Sequence, residues 1–525
     1  MIKTFYLLLL VITLFSVQSL ATGGKPRGRA GKEGILIPDA SSDHPIIISD
    51  PKDQPLCKPN TPLTSARPVT VLQGYEAMVL ANSIPNPKNI FMDQADHLLV
   101  VSPEQGLYSV RMDECGNTDI QLILQNSQMD QPIANGVAVT GQNLYVSTAN
   151  SVYKFPYSDG QHSPVGEGKI ILNNINPQDT GVITELSIDP FGYLYVPRSV
   201  SELSSNLDGS SGIIKRFNLH ITPEQGYDFD TDGEVHAFGT NSHGSMTFDT
   251  QARLWGLNGL TGSIKRTDIS ASEDLSQAGL AEELNLYEFP QMNYGFPYCM
   301  TEYNLQGISS AARGLGAQWG HPSFMNDSLS LDEYCQNEEN NRKPAFNIAA
   351  NSIASSVAFY MGTFCSVGTL ETGGTSVGLP CNWTDTPIVA NHGLSGQTQG
   401  HNVVRLPFDD LGHQPRWDKE PEIILAEAQP CAGPGCLSPT GLTFDAFGRL
   451  YISSDETNEI FIVSRVYDQT AAVRMTELVE AGKEKQASPN SAEMEDYYAK
   501  IGDEEARNKH NSKKKDKEKE EEEEE

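Results

Sequence analysis

Short hairpin units recur along this chain between residues 89 and 463, and only a fold built from repeats can accommodate them. One unit reads Asn89-Ile90-Phe91-Met92-Asp93, a turn, Leu98-Leu99-Val100-Val101-Ser102, and Gly106-Leu107-Tyr108-Ser109-Val110. A second runs through Gly136–Val139, Leu144–Ser147 and Ser151–Phe155. A third has Leu186–Asp189, Tyr193–Val196 and Gly212–Phe217, and a fourth has Met246–Asp249, Arg253–Gly256 and Gly262–Arg266. The last has Gly441–Asp445, Arg449–Ser453 and Glu459–Val463; a looser copy spans Ser355–Tyr360, Pro387–Asn391 and His401–Phe408. Each unit is three short apolar or alternating strands separated by Gly, Asn or Asp turns. A lone hairpin cannot bury both faces, so the units must stack, and radial stacking protects their edges. Helical patterns between strands are nearly absent, which disfavours a βαβ architecture. A linear β-solenoid would have shorter and more uniform repeats. The expected fold is all-β, a six-bladed β-propeller over residues 61–468.

The ends of the chain differ from this body. Lys3, the apolar run Phe5–Val17 and the small-residue exit Ser19-Leu20-Ala21 have the form of a secretory signal peptide over residues 1–21. The run falls short of the ~20 apolar residues that span a bilayer. No later stretch is long and apolar enough to cross, so the mature chain is expected to be secreted, soluble and extracellular. Residues 22–60 lack periodicity and read as a flexible lead-in. Residues 469–525 read as a short helix, Ala471–Lys485, and a disordered tail ending in Lys513–Lys519 and six glutamates.

A net charge of −31 argues against nucleic acid and anionic membranes as partners, because both would be repelled. Neutral ligands such as carbohydrates are compatible with it, and a monomer is expected. The even count of eight cysteines reads as disulfides in an exported chain. Cys431 and Cys436 flank a tight turn, and Cys365 and Cys381 could staple a longer loop. Asn326 and Asn382 head glycosylation sequons and should lie on the surface.

The blade sequence, Glu282-Glu283-Leu284-Asn285 and, most specifically, Asn293-Tyr294-Gly295-Phe296-Pro297-Tyr298-Cys299 carry a family likeness. Over most of residues 70–465 the chain resembles the secreted pyrroloquinoline quinone (PQQ)-dependent sugar dehydrogenases. The nearest branch is the fungal pyranose dehydrogenase and sorbosone dehydrogenase-like group. The resemblance implies PQQ and calcium as cofactors. It also implies hydride transfer from a sugar to the quinone, an imidazole base, a calcium Lewis acid and cations around the quinone's carboxylates.

At several of these positions the chain departs from the pattern. Asn135 stands where the resemblance puts the catalytic His of an Asn-His-Gly-Ile motif, and a carboxamide accepts no proton at neutral pH. Ile183-Thr184, Gly239-Thr240-Asn241-Ser242, Ala350-Asn351-Ser352 and Ser438-Pro439-Thr440-Gly441 stand where the family's motifs carry Arg or His. His392-Gly393-Leu394-Ser395-Gly396-Gln397 keeps the His of its motif and drops the Arg, while Arg198 matches a Ser-Arg-Gly motif. Arg198 and His392 are therefore the cofactor-binding candidates. Asp455 is a metal candidate, and His243 is either a substitute base or a polar turn residue. Glu282 and Glu283 are adjacent, so they point different ways and do not form a glycosidase pair.

Three functions follow: a quinone-dependent sugar oxidoreductase, a non-catalytic propeller binding carbohydrate or protein, and a calcium-dependent lactonase-type hydrolase. The last would draw on Asn135, Asn241 and Asn351 as part of a ligand ring. Removing residues 486–525 is expected to leave the melting temperature nearly unchanged; a fall of many degrees would show that the tail docks on the body.

Overall fold

The computed structural model describes residues 59–465, apart from residue 60 and several internal segments, chiefly 177–184, 201–211, most of 260–278, and 362–377. It also describes the backbone of a hairpin between Ile35–Pro38 and Pro45–Ile48, two apolar runs within the expected flexible lead-in. The leader, the helix expected at 471–485, the charged tail, Asn326, Cys57, Cys115 and Cys365 lie outside the described residues.

The repeats form six four- or five-stranded sheets, the blades of a propeller. Blade 1 comprises Ile90–Met92, Leu98–Ser102, Gly106–Met112 and Thr118–Gln125, from the axis outward. Blade 2 comprises Val137–Thr140, Asn143–Ser147, Val152–Pro156 and Lys169–Asn173. Blade 3 comprises Ser187–Ile188, Tyr193–Arg198, Ile213–Asn218 and Glu234–Phe238. Blade 4 comprises Ser242–Phe248, Leu254–Asn258, Glu282–Leu286 and Phe346–Ile348. Blade 5 comprises Ala354–Phe359, Pro387–Asn391, Asn402–Arg405 and Glu422–Glu427, with Val69–Val71 added at its edge. Blade 6 takes Pro439–Phe444, Leu450–Ser454 and Glu459–Arg465 from the end of the described chain, and its outer strand, Tyr75–Ala81, from the beginning. That last pairing closes the ring.

The core is six layers, each between neighbouring blades. Side chains along a strand alternate between faces. In blade 1, Leu99 and Val101 pack with Val137, Leu144 and Val146 of blade 2. Leu98 and Val100 pack instead with Tyr451, Ile460 and Ile462 of blade 6. Both faces of every blade are therefore covered, which is why these strands read as continuous apolar runs.

Four blades turn their first hairpin on the same device. Asp93, Asp189, Asp249 and Asp445 are buried at the ends of innermost strands. One carboxylate oxygen of each accepts the backbone N–H groups two and four residues ahead, at 2.8–3.0 Å. The other oxygen accepts from an aromatic side chain: Tyr157, Tyr195, Trp255 and Tyr451 respectively. The residue three ahead (Asp96, Gly192, Ala252 or Gly448) takes a left-handed φ between 58° and 81°.

Between the third and fourth strands of blade 4 the chain makes a long excursion. Met292–Asn293 pairs with the outer strand of blade 3, and a hairpin joins Cys299–Thr301 to Gln318–Gly320. A Cys299–Cys335 disulfide ties this hairpin to the helix Ser328–Gln336. The Asn293–Cys299 segment therefore lies in this excursion, outside the blade repeat. The short Cys431–Cys436 loop is closed by a disulfide, as its spacing implied, and Asn382 is exposed.

Asp249→Ala would leave two backbone N–H groups, the Arg253 guanidinium and the Trp255 indole without their acceptor. The expected loss is about 3–5 kcal/mol, the usual cost of removing one partner from a buried ion pair. Denaturant unfolding measures it, and Asp249→Asn, which keeps a turn acceptor, should lose less.

Candidate functional site at the channel mouth

Every innermost strand runs in the same direction along the axis, so the residues that precede these strands gather at one mouth of the channel. In blade order they are Lys88 and Asn89, Asn135, Glu185, Asn241, Asn351 with Ser352, and Ser438. The hairpins between second and third strands reach the same end, and they bring Arg198 and Asp455 there.

Asn135 is 7% exposed and lies between the heads of blades 1 and 3. Its Nδ2 donates to Glu185 Oε1, and its Oδ1 accepts the Asn89 backbone N–H at 3.1 Å. Asn89 Nδ2 donates to the other Glu185 oxygen at 3.2 Å. Glu185, 2% exposed, is the residue this site adds to those read from the sequence. Burial raises its pKa to about 7, against the lowering effect of the Asn135 hydrogen bond and the Leu186 N–H.

His392, Asp455 and Lys88 form a second group, joining blades 5, 6 and 1. His392 Nε2 lies 3.1 and 3.2 Å from the two Asp455 oxygens, and its Nδ1 lies 2.9 Å from the Gly393 carbonyl oxygen. Lys88 Nζ donates to Asp455 Oδ2. Burial works to lower the His392 pKa, but the hydrogen bond and charge of Asp455, helped by Gly393, leave it raised. Burial works to raise that of Asp455, and His392 and Lys88 leave it lowered. The group is thus a carboxylate held between a lysine and an imidazole, so a metal ion at Asp455 would have to displace them.

Arg198 is at the mouth end of its strand but turned into the wall between blades 2 and 3. It donates to the carbonyls of Ile175 and Asn174 at 2.6 Å each and to Asp230 at 2.8 Å, with its guanidinium 4.4 Å from the Phe229 ring centre. The backbone of His243 begins the innermost strand of blade 4; its side chain lies outside the described residues. Asn241 Oδ1 accepts the Val200 N–H at 3.1 Å, so Asn135 and Asn241 serve separate neighbours. Glu282 and Glu283 diverge as adjacent strand residues must. Glu282 accepts the N–H groups of Ile353 and Ala354, and Glu283 accepts from Thr301 and Asn285. Among the described His, Cys, Asp and Glu residues, the only cluster with metal-ligand spacing is Glu427, Cys431 and Cys436. Its two cysteines are joined in the disulfide.

A six-bladed propeller with a polar, amide-rich mouth and a His–Asp–Lys clamp across its closing blades defines the structural class. The family model described as TrAA12-like matches residues 69–466, and the chain belongs to that family. A PQQ-dependent sugar dehydrogenase of Hypocrea jecorina is 23% identical over 437 residues, covering 78% of this chain and 92% of that protein. A PQQ-dependent pyranose dehydrogenase of Coprinopsis cinerea is 21% identical over 433 residues; the match spans 76% of this chain and 55% of that longer protein. Among solved structures, the iodide structure of the Trichoderma reesei AA12 enzyme aligns with a TM-score of 0.63 at 20% identity, covering 77% of this chain and all of that one. The holo PQQ domain of the Coprinopsis cinerea pyranose dehydrogenase aligns equally well, at 19% identity over 78% of this chain and all of that one.

The Glu185 pKa sets a pH dependence. Its folded value of about 7 lies above the ordinary 4.5, so folding favours the protonated acid. Its contribution to stability is present below about pH 4.5 and is lost as pH rises through 7. The loss reaches at most about 3 kcal/mol, since one pKa unit is worth ~1.4 kcal/mol. Glu185→Gln should therefore lose less stability than the parent between pH 5 and 8 in denaturant unfolding. Equal losses would mean that Glu185 is ionised throughout.

Proposed function

We propose that this chain is an exported, carbohydrate-binding member of the TrAA12-like family whose channel mouth has been rebuilt and no longer holds the quinone. The observation that carries this reading is the chemistry of the heads of the innermost strands. A cofactor with three carboxylates needs cations around it. The heads offer amides, hydroxyls and the Glu185 carboxyl; the one lysine among them, Lys88, is held by Asp455. Arg198 and His392, the cofactor-binding candidates, are engaged by the protein's own oxygens. Of the connections that reach the mouth, 177–184 and 201–211 contain no Lys or Arg, while 260–278 carries Lys265 and Arg266, the latter paired with Asp332. The described residues at the mouth do not fit the quinone.

A neutral polyol suits such a mouth better. Carboxamides offer donors and acceptors together, which match sugar hydroxyls without requiring a charged ligand. The family relationship supports carbohydrate as the ligand class, since the relatives carry sugar and pyranose dehydrogenase names. The leader sequence supports export.

A second reading, sugar oxidation as in the relatives, is favoured by Glu185. A buried carboxyl with a pKa near 7, hydrogen-bonded to the residue at the expected base position, is suited to take a proton from a sugar hydroxyl. No observation favours the lactonase-type reading.

One titration separates the first two. Purified protein is given PQQ and calcium, and melting temperature and dye reduction are followed with a panel of aldoses. The expected result is no cofactor-dependent shift and no turnover, with neutral sugars alone raising the melting temperature. A cofactor-dependent shift with sugar-dependent dye reduction would instead establish the dehydrogenase.

A further inference from the structure

A cavity apart from the mouth lies on the flank between blades 4 and 5. It encloses about 780 Å³, within the range of ~300–1,000 Å³ usual for small-molecule sites. One wall is the outer strand of blade 4, Phe346–Ile348, which is only three residues long and leaves the flank open. The opposite wall is blade 5. Asn391 and Gly400 line the end near the mouth, and Trp417 lines the far end, in the connection between the third and fourth strands.

Two features of this groove point to a ligand. Trp417 is 46% exposed, whereas Trp255, Trp319 and Trp383, the chain's other tryptophans, are buried. Its ring stacks on the buried Phe346, with centres 4.9 Å apart and planes 10° from parallel. One face is thus fixed from behind while the other is left for a flat apolar partner. The second feature is a pair of buried carboxamides in the lining, Asn347 and Asn391, 5% and 4% exposed. Neither carboxamide oxygen has a hydrogen-bond partner among the described residues, although Asn391 Nδ2 donates to Asn402 at 2.8 Å. Buried acceptors left without donors are costly; both residues lie in the wall of the groove, so a ligand that brings hydroxyl or N–H donors would relieve them once the side chains turn toward it.

We propose that this interblade groove binds a short neutral oligosaccharide, with a pyranose ring lying on Trp417 and sugar hydroxyls pairing with the carboxamides of Asn347 and Asn391 as these side chains turn into the groove. The apolar face of a pyranose supplies C–H groups to an aromatic ring, and its equatorial hydroxyls supply the donors. The rim charges Lys419 and Glu420 are of opposite sign, so the groove does not select for a charged ligand. Its upper end reaches Asn391, the neighbour of His392, and so a bound chain would extend toward the mouth. The proposal shares the carbohydrate reading of the mouth but rests on a separate surface and does not require the mouth to bind anything.

The test is calorimetric and fluorescence titration of the full chain with cello-, xylo- and chito-oligosaccharides of three to six units, beside the corresponding monosaccharides. Binding of at least one oligosaccharide series is expected, with a change in tryptophan emission from the exposed Trp417. Trp417→Ala should weaken that binding at least tenfold at an unchanged melting temperature, and Trp417→Phe should largely restore it. Monosaccharide binding at the mouth should be unaffected by either substitution. If no oligosaccharide binds the folded chain at millimolar concentration, or if Trp417→Ala binds as well as the parent, the proposal fails. Oligosaccharide binding without any monosaccharide binding would refute the carbohydrate reading of the mouth and leave the groove standing.

Discussion

The buried aspartate at the end of an innermost strand is the interaction on which this propeller most depends. A tight turn at the end of an innermost strand leaves backbone N–H groups with no strand partner. In four blades one carboxylate supplies the acceptor for two of them, and it also fixes an aromatic side chain from the same or the next blade. Blade 2 instead uses Gly141 at a φ of 60° within a shorter turn. Where Asp249 and Asp445 are also paired with Arg253 and Arg449, the negative charge is offset within the turn itself.

With the turns set at the far end, the heads of the innermost strands are free to vary at the mouth. The apolar layers between blades fix each strand's position, and the layer that joins blade 6 to blade 1 includes Leu80 and Ala81 from the closing strand. A head residue can therefore change from a cation to an amide without disturbing the ring. The same scaffold can accordingly carry a different ligand from its relatives, since fold alone does not settle function.

Much of this was legible in the sequence because strand periodicity and turn residues are local signals. The six units, the all-β class and the Cys431–Cys436 loop could be read directly, but the third strand of blade 4 is Glu282–Leu286, beyond the run Gly262–Arg266 read for it. The closing strand Tyr75–Ala81 could not, because it pairs with Glu459–Arg465 nearly four hundred residues away and carries no sign of its partner. Glu185 was missed for a similar reason. In sequence it is one more acidic residue after Thr184, and only its burial against Asn135 and Asn89 gives it a distinct chemistry. The Cys299–Cys335 pairing depends on a fold-back of the blade 4 excursion that spacing does not reveal. Arg198 shows the opposite failure: its motif matched, yet its guanidinium faces the wall.

His392 has a structural role of its own. Its imidazole, with Asp455 and Lys88, bridges the blades on either side of the ring's closure, where strands from opposite ends of the chain must meet. Removing one member of a buried ion pair leaves an uncompensated charge, which is far more costly than the pair itself is stabilising. His392 is thus held by the seam it joins, whatever the mouth binds. Lys88 and His392 already share one carboxylate, and recruiting them for another anion would strip Asp455 of its partners.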